Sequence, residues 1–301
     1  MKHLVVITGP TAIGKTIAAT ETARHFNTEI VSADSRQIYR ELFIGTAVPG
    51  PSELSAVKHH FIHTHSIHDQ YNASRYESDA IKLLDNLFKK YNIVVLTGGS
   101  MLYIDAVCKG IDAIPDIDSE IRSNLKLLLE TTGLENLRLQ LKKLDPDYYL
   151  QTDLKNPARI VHALEVCMTT GRPYSSFRKT KTKERGFSVC KIVLNCERTE
   201  LHNKINNRVD DMIHNGLEQE AARMYPLKHL NSLNTVGYRE FFDYFEGKIS
   251  KEKAIELIKR NTRRYARKQL TWFRKDPDYT WFSADETREV IKFVESVILG
   301  K

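Results

Sequence analysis

The sequence predicts an α/β fold, a parallel sheet flanked by helices with a smaller inserted helical domain. Three observations lead there. Short apolar runs alternate with helical patterns in the first third of the chain, a glycine-rich loop joins the first run to the first helix, and a long central helical stretch contains no strand. With 301 residues, 41% of them hydrophobic, the chain can bury a large core, and its length suits one large domain with a smaller one inside it.

Leu4 to Thr8 is a continuous apolar, β-rich run that ends in glycine and gives way to a helical pattern from Lys15 to Phe26. Two similar buried strands follow. Glu29 to Ser32 ends at Asp34, and Ile93 to Thr97 ends at Gly98-Gly99-Ser100, with helical segments after each. Strands apolar on both faces belong to a parallel sheet covered on both sides. Ile111 to Asp118 carries turn residues, and Asp118 to Thr170 is helical throughout. Lys179 to Gly186 is charged and expected to be flexible, and Val189 to Cys196 supplies a strand that returns the chain to the sheet. From Thr199 to the C-terminus the patterns are helical, broken at Gly216, Pro226, Gly237, Gly247 and Pro277. The expected division is a core of residues 1–113 and 186–301 around a helical insertion of residues 114–185.

A net charge of +7 and a pI near 9.1 favour polyanionic partners without identifying nucleic acid. Cys108, Cys167, Cys190 and Cys196 form no CxxC pair, which argues against a disulfide framework or a structural zinc site and suits a reduced compartment. The first strand follows Met1 directly and leaves no room for a leader, and no apolar run approaches the roughly 20 residues of a membrane span. A soluble cytoplasmic protein with no membrane partner is expected. His59, His60, His63, His65 and His68 are irregularly spaced and match no zinc pattern, so they read as surface histidines near the rim of a site.

Gly9-Pro10-Thr11-Ala12-Ile13-Gly14-Lys15-Thr16 fits G-x-x-x-x-G-K-[ST], with a strand before it and a helix after it, the setting in which that pattern is specific for phosphate binding. Glycines let the backbone wrap phosphate oxygens, the helix N-terminus and exposed amides supply positive potential, and Lys15 adds a charge. Thr16 is placed to ligate Mg²⁺. The loop does not define the ligand as ATP. ATP-hydrolysing sites set a second acid after a buried strand, and here Gly98-Gly99-Ser100 stands there instead. Asp34 lies at the same carboxyl edge of the sheet, either as a turn or cap residue or as the base that takes a proton from a nucleophile. Ser35, Arg36 and Gln37 beside it are polar groups able to read a planar heterocycle.

Two helices add to this. Leu201, Ile205, Val209, Met212 and Ile213 define an inward stripe, and Arg208 sits at its edge, where a partly buried guanidinium needs an anion: a ligand phosphate or a structural carboxylate. Farther on, Arg260, Arg264 and Lys268 at i, i+4, i+8, with Arg263 and Arg267 alongside, give one broad basic face, while Tyr265 and Trp272 read as core.

These motifs resemble the tRNA dimethylallyltransferase family, which shows G-P-T-A-x-G-K-[ST] followed by D-S-x-Q-x-Y, here Asp34-Ser35-Arg36-Gln37-Ile38-Tyr39. Matches continue in order through Ile44-Gly45-Thr46-Ala47, Gly98-Gly99-Ser100-Met101-Leu102-Tyr103, Asn156-Pro157-Ala158-Arg159, Ala163-Leu164-Glu165, Val236-Gly237-Tyr238-Arg239 and Arg267-Lys268-Gln269-Leu270-Thr271-Trp272-Phe273. The resemblance implies transfer of a dimethylallyl group from dimethylallyl diphosphate to the exocyclic amine of the adenine 3′ of the anticodon in tRNA. It implies Asp34 as base, Ser35, Gln37 and Ser100 at the target base, and Lys15, Thr16 with Mg²⁺ and Arg208 on the leaving diphosphate. Arg36, Arg122, Arg159, His162, Arg239, Arg263, Arg267, Lys268 and Arg274 are then RNA contacts on the anticodon stem-loop, and a monomer is expected. This chain departs from the family at Ala158 and His162, where a polar residue and an arginine are common, so the RNA contacts of that helix are expected to differ.

Other readings share these residues. A P-loop kinase acting on a small hydroxylated substrate would use ATP with Asp34 as base. A non-catalytic RNA-binding protein would keep the loop as a vestige. Prenylation of free adenine nucleotides would present the same amine, and the basic helix and the insertion favour RNA.

Overall fold

The computed structural model describes residues 1–112, 114, 117–178 and 182–299, and the side chains of Ser119 and Leu299 fall outside this description. The elements run β1 (His3–Thr8), α1 (Lys15–His25), β2 (Ile30–Ser32), α2 (Pro51–Ala56), β3 (His59–His60), α3 (Ala73–Leu87), β4 (Ile93–Gly98) and α4 (Met101–Cys108). Then come α5 (Ser119–Leu144), α6 (Pro146–Gln151), α7 (Pro157–Thr170), β5 (Ser188–Asn195), α8 (Arg198–His214), α9 (Leu217–Met224), α10 (Tyr238–Phe245), α11 (Lys251–Phe273), β6 (Tyr279–Ser283) and α12 (Thr287–Leu299).

The strands form one sheet in the order β3-β2-β4-β1-β5-β6, and every pairing is parallel. Central β1 pairs Val5 with Val95 on one side and with Cys190 on the other. Its unbroken apolar run has a physical cause. Leu4 and Val6 point into a core with Tyr76, Ala80 and Leu84 of α3 and Ile104 and Val107 of α4, while Val5 and Ile7 point into another with Ala18 and Ala19 of α1 and Leu201 and Ile205 of α8. A third cluster joins Ile38 and Leu42 to Val209, Leu217, Phe241 and Ile258.

Two strands depart from the sequence expectation. β3 is two residues long, too short for any periodicity to register. β6 lies where helix was expected. Tyr-Thr-Trp-Phe-Ser is aromatic and β-branched, and as an edge strand it buries Tyr279 while Trp281 and Ser283 stay exposed, so it lacks the continuous apolar run that marked the central strands. Tyr265 and Trp272 also differ from expectation, since each is 37% exposed rather than core.

The chain divides into two compact units, Met1–Cys108 with Glu184–Lys301, and Lys109–Lys183. Ala113, the expected end of the first core segment, and the first three residues of the charged Lys179 to Gly186 stretch lie outside the described residues. The smaller unit packs Leu125, Leu137 and Leu141 of α5, which is kinked at Gly133, against Ile160, Ala163 and Leu164 of α7. Its fully buried Asp145 caps α6 at the Tyr148 amide and also accepts from the amide and hydroxyl of Ser175. No helix among the described residues is long and apolar enough to cross a membrane.

Candidate active site

The loop after β1 makes its phosphate cradle by backbone conformation. Gly9, Ala12 and Gly14 have φ of +152°, +67° and +102°, and a Cβ on Gly9 would lie 2.5 Å from the carbonyl oxygen of Leu194 in β5. The turn therefore hugs the neighbouring strand and delivers Lys15 and Thr16 as the first residues of α1. Lys15 Nζ donates to Pro10 O at 2.9 Å.

A second close approach positions Asp34. The Ala33 amide donates to Thr97 O at 2.6 Å, the Ser100 amide donates to Ala33 O at 3.1 Å, and a Cβ on Gly98 would stand 2.2 Å from that same Ala33 oxygen. Gly98 thus lets the ends of β2 and β4 touch. Asp34 Oδ1 accepts from the amides of Arg36 (2.8 Å) and Gln37 (3.2 Å), which closes the turn, while Oδ2 takes no hydrogen bond among the described residues. The sequence left two roles open for Asp34. One oxygen serves the turn and the other is spare.

Asp34, Gln37, Lys15, Thr16 and Arg208 line one cavity of about 630 Å³. Burial brings the Lys15 ammonium down to about 7, the nearby Arg208 pushes the same way, and the Asp34 carboxylate opposes both. Burial likewise lowers Arg208, again opposed by Asp34. Neither cation has an ion pair among the described residues, so no structural carboxylate holds Arg208. A site with two desolvated cations is built to receive an anion.

Residues 37–276 match the family model described as IPP transferase. A tRNA dimethylallyltransferase 2 of Parabacteroides distasonis is 50% identical over 299 residues, covering 99% of this chain and 100% of that protein. The chain belongs to the IPP transferase family. A tRNA dimethylallyltransferase of Christiangramia forsetii is 51% identical over 98% of each chain. The solved full-length tRNA isopentenylpyrophosphate transferase of Bacillus halodurans superimposes with a TM-score of 0.71 at 33% identity, covering 98% of this chain and 96% of that one. A eukaryotic dimethylallyltransferase described as acting on tRNA shares the fold at a TM-score of 0.82 and 23% identity, covering 100% and 80%. As a member of this family the chain is an enzyme, a prenyltransferase.

Other expected site residues of this transferase fall in several places. Ser100 Oγ accepts from the Ser35 amide at 2.8 Å and lies 3.1 Å from the Ser35 hydroxyl, so both serines brace the Asp34 turn rather than line the cavity. Gln37 spends its Nε2 on the carbonyls of Thr46 and Ala47 (3.1 and 2.9 Å), which leaves its oxygen for a ligand. Arg36 reaches Asn234 O at 3.5 Å, and Arg239 is exposed on α10. In the smaller unit Arg159 is exposed, whereas Arg122 (2.9 Å) and His162 (3.5 Å) both engage the buried Glu165. Four of the His59 to His68 histidines have separate partners. His60 pairs with Glu29 at 2.6 Å, His59 and His63 face the carbonyls of Val57 and Leu42, and no group of three metal-binding side chains exists among the described residues.

Three contributors escaped the sequence reading. Gln269, 1% exposed on α11, accepts from the Thr11 amide at 2.9 Å and donates to Gly99 O at 2.8 Å, so it clasps the phosphate loop to the end of β4. Tyr265 donates to Gly99 O at 3.2 Å and lines the cavity, its hydroxyl pushed up to about 12 by burial and by Asp34. Glu220, 2% exposed, accepts from three successive amides, Phe43, Ile44 and Gly45 (3.1, 2.8 and 2.9 Å), and from the Tyr238 hydroxyl at 2.6 Å. The loop it anchors carries Thr46 and Ala47, the residues that hold Gln37. Its signal lay in the Ile44-Gly45-Thr46-Ala47 match, because a Cβ on Gly45 would stand 2.6 Å from the Tyr238 ring. Glu220→Gln replaces an acceptor of three amides by a group whose nitrogen cannot accept. We expect a loss of about 2 kcal/mol in urea unfolding and a Michaelis constant for the acceptor that rises several-fold with little change in that for the donor.

Proposed function

We propose that this enzyme transfers a dimethylallyl group from dimethylallyl diphosphate to the exocyclic N6 amine of the adenine immediately 3′ of the anticodon in tRNA, releasing diphosphate. The observation that carries the reading is the single cavity in which Lys15 and Arg208 feel one common carboxylate, Asp34, beside the phosphate loop. A hydrolase would need a further acid after β4, and that strand runs into Gly98-Gly99-Ser100.

An adenine amine is a weak nucleophile, because its lone pair is delocalised into the ring. Asp34 Oδ2 accepts the proton lost as nitrogen bonds to the allylic carbon. The carbon–oxygen bond to diphosphate breaks, and its electron pair leaves on the phosphate oxygen. Lys15, Arg208 and the loop amides stabilise that charge, and they act more strongly on the departing anion than on the bound ester. Thr16 offers a hard oxygen donor to the same cavity, and its hydroxyl has no hydrogen bond among the described residues, so it would hold Mg²⁺ beside the substrate phosphates. When bound, Mg²⁺ supplies further charge neutralisation on the diphosphate. Ser35 and Ser100 keep the Asp34 turn in place, and Gln37 reads the base with its free oxygen. Arg36, Arg239, Arg263, Arg267, Lys268 and Arg274, with Arg159, Arg122 and His162 in the insertion, hold the RNA.

The test offers Mg²⁺ and either dimethylallyl diphosphate or ATP, with unmodified tRNA or AMP, and weighs the products. Prenylated adenosine recovered from tRNA supports the reading; an ATP-dependent phosphorylated product, or prenylation confined to AMP, would sink it.

The Lys15 ionisation gives a second test. With the site free it titrates near 7, so at pH 8 most of the ammonium has lost its proton. A bound diphosphate favours the charged form and raises that value, so binding takes up a proton above pH 7 and weakens as pH climbs. Calorimetric titration with inorganic diphosphate at pH 8, in buffers of different ionisation enthalpy, should show an uptake that Lys15→Met removes. Equal uptake in the variant contradicts the assignment.

A further inference from the structure

α11 serves two surfaces. Arg263 and Arg267, with Arg274 just beyond the helix, line a groove shared with α8, and Lys268 is exposed. Tyr265 and Gln269, one turn apart, reach the catalytic cavity instead. Gln269 clasps the phosphate loop to Gly99. The Tyr265 hydroxyl donates to the same Gly99 oxygen, so the clasp does not depend on it, and the residue keeps 37% of its surface exposed. That hydrogen bond fixes where the ring stands.

The ring stands where charge changes place in the transfer proposed above. Its anchor, Gly99, has a leaving-group cation close by, since a Cβ built on Gly99 would lie 3.9 Å from Lys15 Nζ. The next residue, Ser100, accepts from the Ser35 amide in the turn that presents Asp34. The Asp34 carboxylate acts on both the Tyr265 phenol and the Lys15 ammonium. The allylic carbon moves between those same two sides, from the diphosphate at Lys15 to the amine at Asp34. Among the described residues no phenylalanine, tryptophan or second tyrosine lines the cavity. His59, the other ring lining it, is paired through β3 with Ile30, four residues before Asp34.

We propose that the Tyr265 ring stabilises the positive charge that develops on the allyl group as it leaves diphosphate; the proposal rests on the donor and the transfer read above. As the carbon–oxygen bond breaks, its electron pair departs with diphosphate and positive charge spreads over the allyl group. That charge is discharged when the nitrogen bonds to carbon and Asp34 takes the amine proton. The faces of an aromatic ring carry negative potential and attract a cation, most strongly where water is excluded. A carboxylate set against the allyl group would trap the cation as an ester, and a ring does not. Donating its hydrogen bond leaves the phenol ring richer in electrons and keeps it from swinging away. The attraction is weak for the uncharged allyl group of the bound ester and strong for the cation, so it lowers the barrier.

The test replaces Tyr265 by phenylalanine, by leucine, and by phenylalanines bearing one, two and three ring fluorines. Each fluorine drains electron density from the ring with little change of shape. Single-turnover rates are measured with Mg²⁺, saturating dimethylallyl diphosphate and unmodified tRNA, alongside both Michaelis constants and the melting temperature. Tyr265→Leu should slow transfer about 30-fold, whereas Tyr265→Phe should retain the larger part of the rate. The logarithm of the rate should fall stepwise with each added fluorine while both Michaelis constants hold. A flat fluorine series overturns the proposal, whatever Tyr265→Leu does to the rate or to the fold. So does a series in which the Michaelis constant for tRNA moves while the rate holds, which would make the ring a stacking platform for the base. Wild-type enzyme that carries no dimethylallyl group onto tRNA overturns the functional reading and takes this proposal with it, a result seen before any variant is made.

Discussion

Asp34→Asn should lower kcat about a thousandfold while leaving the fold and the affinity for diphosphate in place. Asparagine keeps an Oδ1 that can accept from the Arg36 and Gln37 amides, so the turn survives. What disappears is the second carboxylate oxygen, the one without a hydrogen bond. Removing that negative charge relieves repulsion on a bound diphosphate and at the same time lets the Lys15 ammonium fall further, so its two effects on affinity oppose each other. The loss should appear equally in kcat and kcat/KM, the pattern of an interaction made in the transition state. Steady-state kinetics on both substrates checks it, and a variant that keeps its kcat while its KM rises would make Asp34 a binding residue only.

Arg208→Ala is expected to cost a further large factor, on the order of a hundredfold to a thousandfold in kcat, by removing a desolvated donor from the departing diphosphate. It carries a signature that distinguishes it from general damage. Arg208 helps depress the Lys15 ammonium, so its removal should raise the Lys15 ionisation from near 7. The proton uptake on binding diphosphate at pH 8 should then shrink, because more of the free lysine is already charged. Reduced turnover with unchanged proton uptake would place Arg208 away from the lysine and the phosphates.

The parts of this protein legible in sequence are those governed by short-range rules. β1, β4 and β5 read as strands because burial on both faces leaves continuous apolar runs, and the phosphate loop was legible because its glycines serve backbone conformations that side chains resist. β6 was hidden, since an edge strand between Pro277 and α12 carries exposed residues among its aromatics. The site was legible at Lys15, Thr16 and Asp34, which follow directly from strand ends. Gln269 was not, for a different reason. It lies 258 residues from Thr11, and a glutamine on a helix full of arginines gives no local sign of clasping a loop so distant in sequence. Glu220 was silent in the same way: one of two acids on α9, it becomes an acceptor for three amides only once the loop from Phe43 to Gly45 folds over it. The contact of the Ser100 hydroxyl with Ser35 had no local sign either, since it forms where Gly98 lets two strand ends meet.

The claim on which the rest depends is that the phosphate loop holds a leaving group. It is tested most directly by a single-turnover reaction of enzyme, Mg²⁺, radiolabelled dimethylallyl diphosphate and unmodified tRNA, with an excess of ATP present. One diphosphate should be released for each prenyl group found on the adenine 3′ of the anticodon, with ATP untouched. Consumption of ATP in step with product, or release of single phosphates in place of diphosphate, would contradict it.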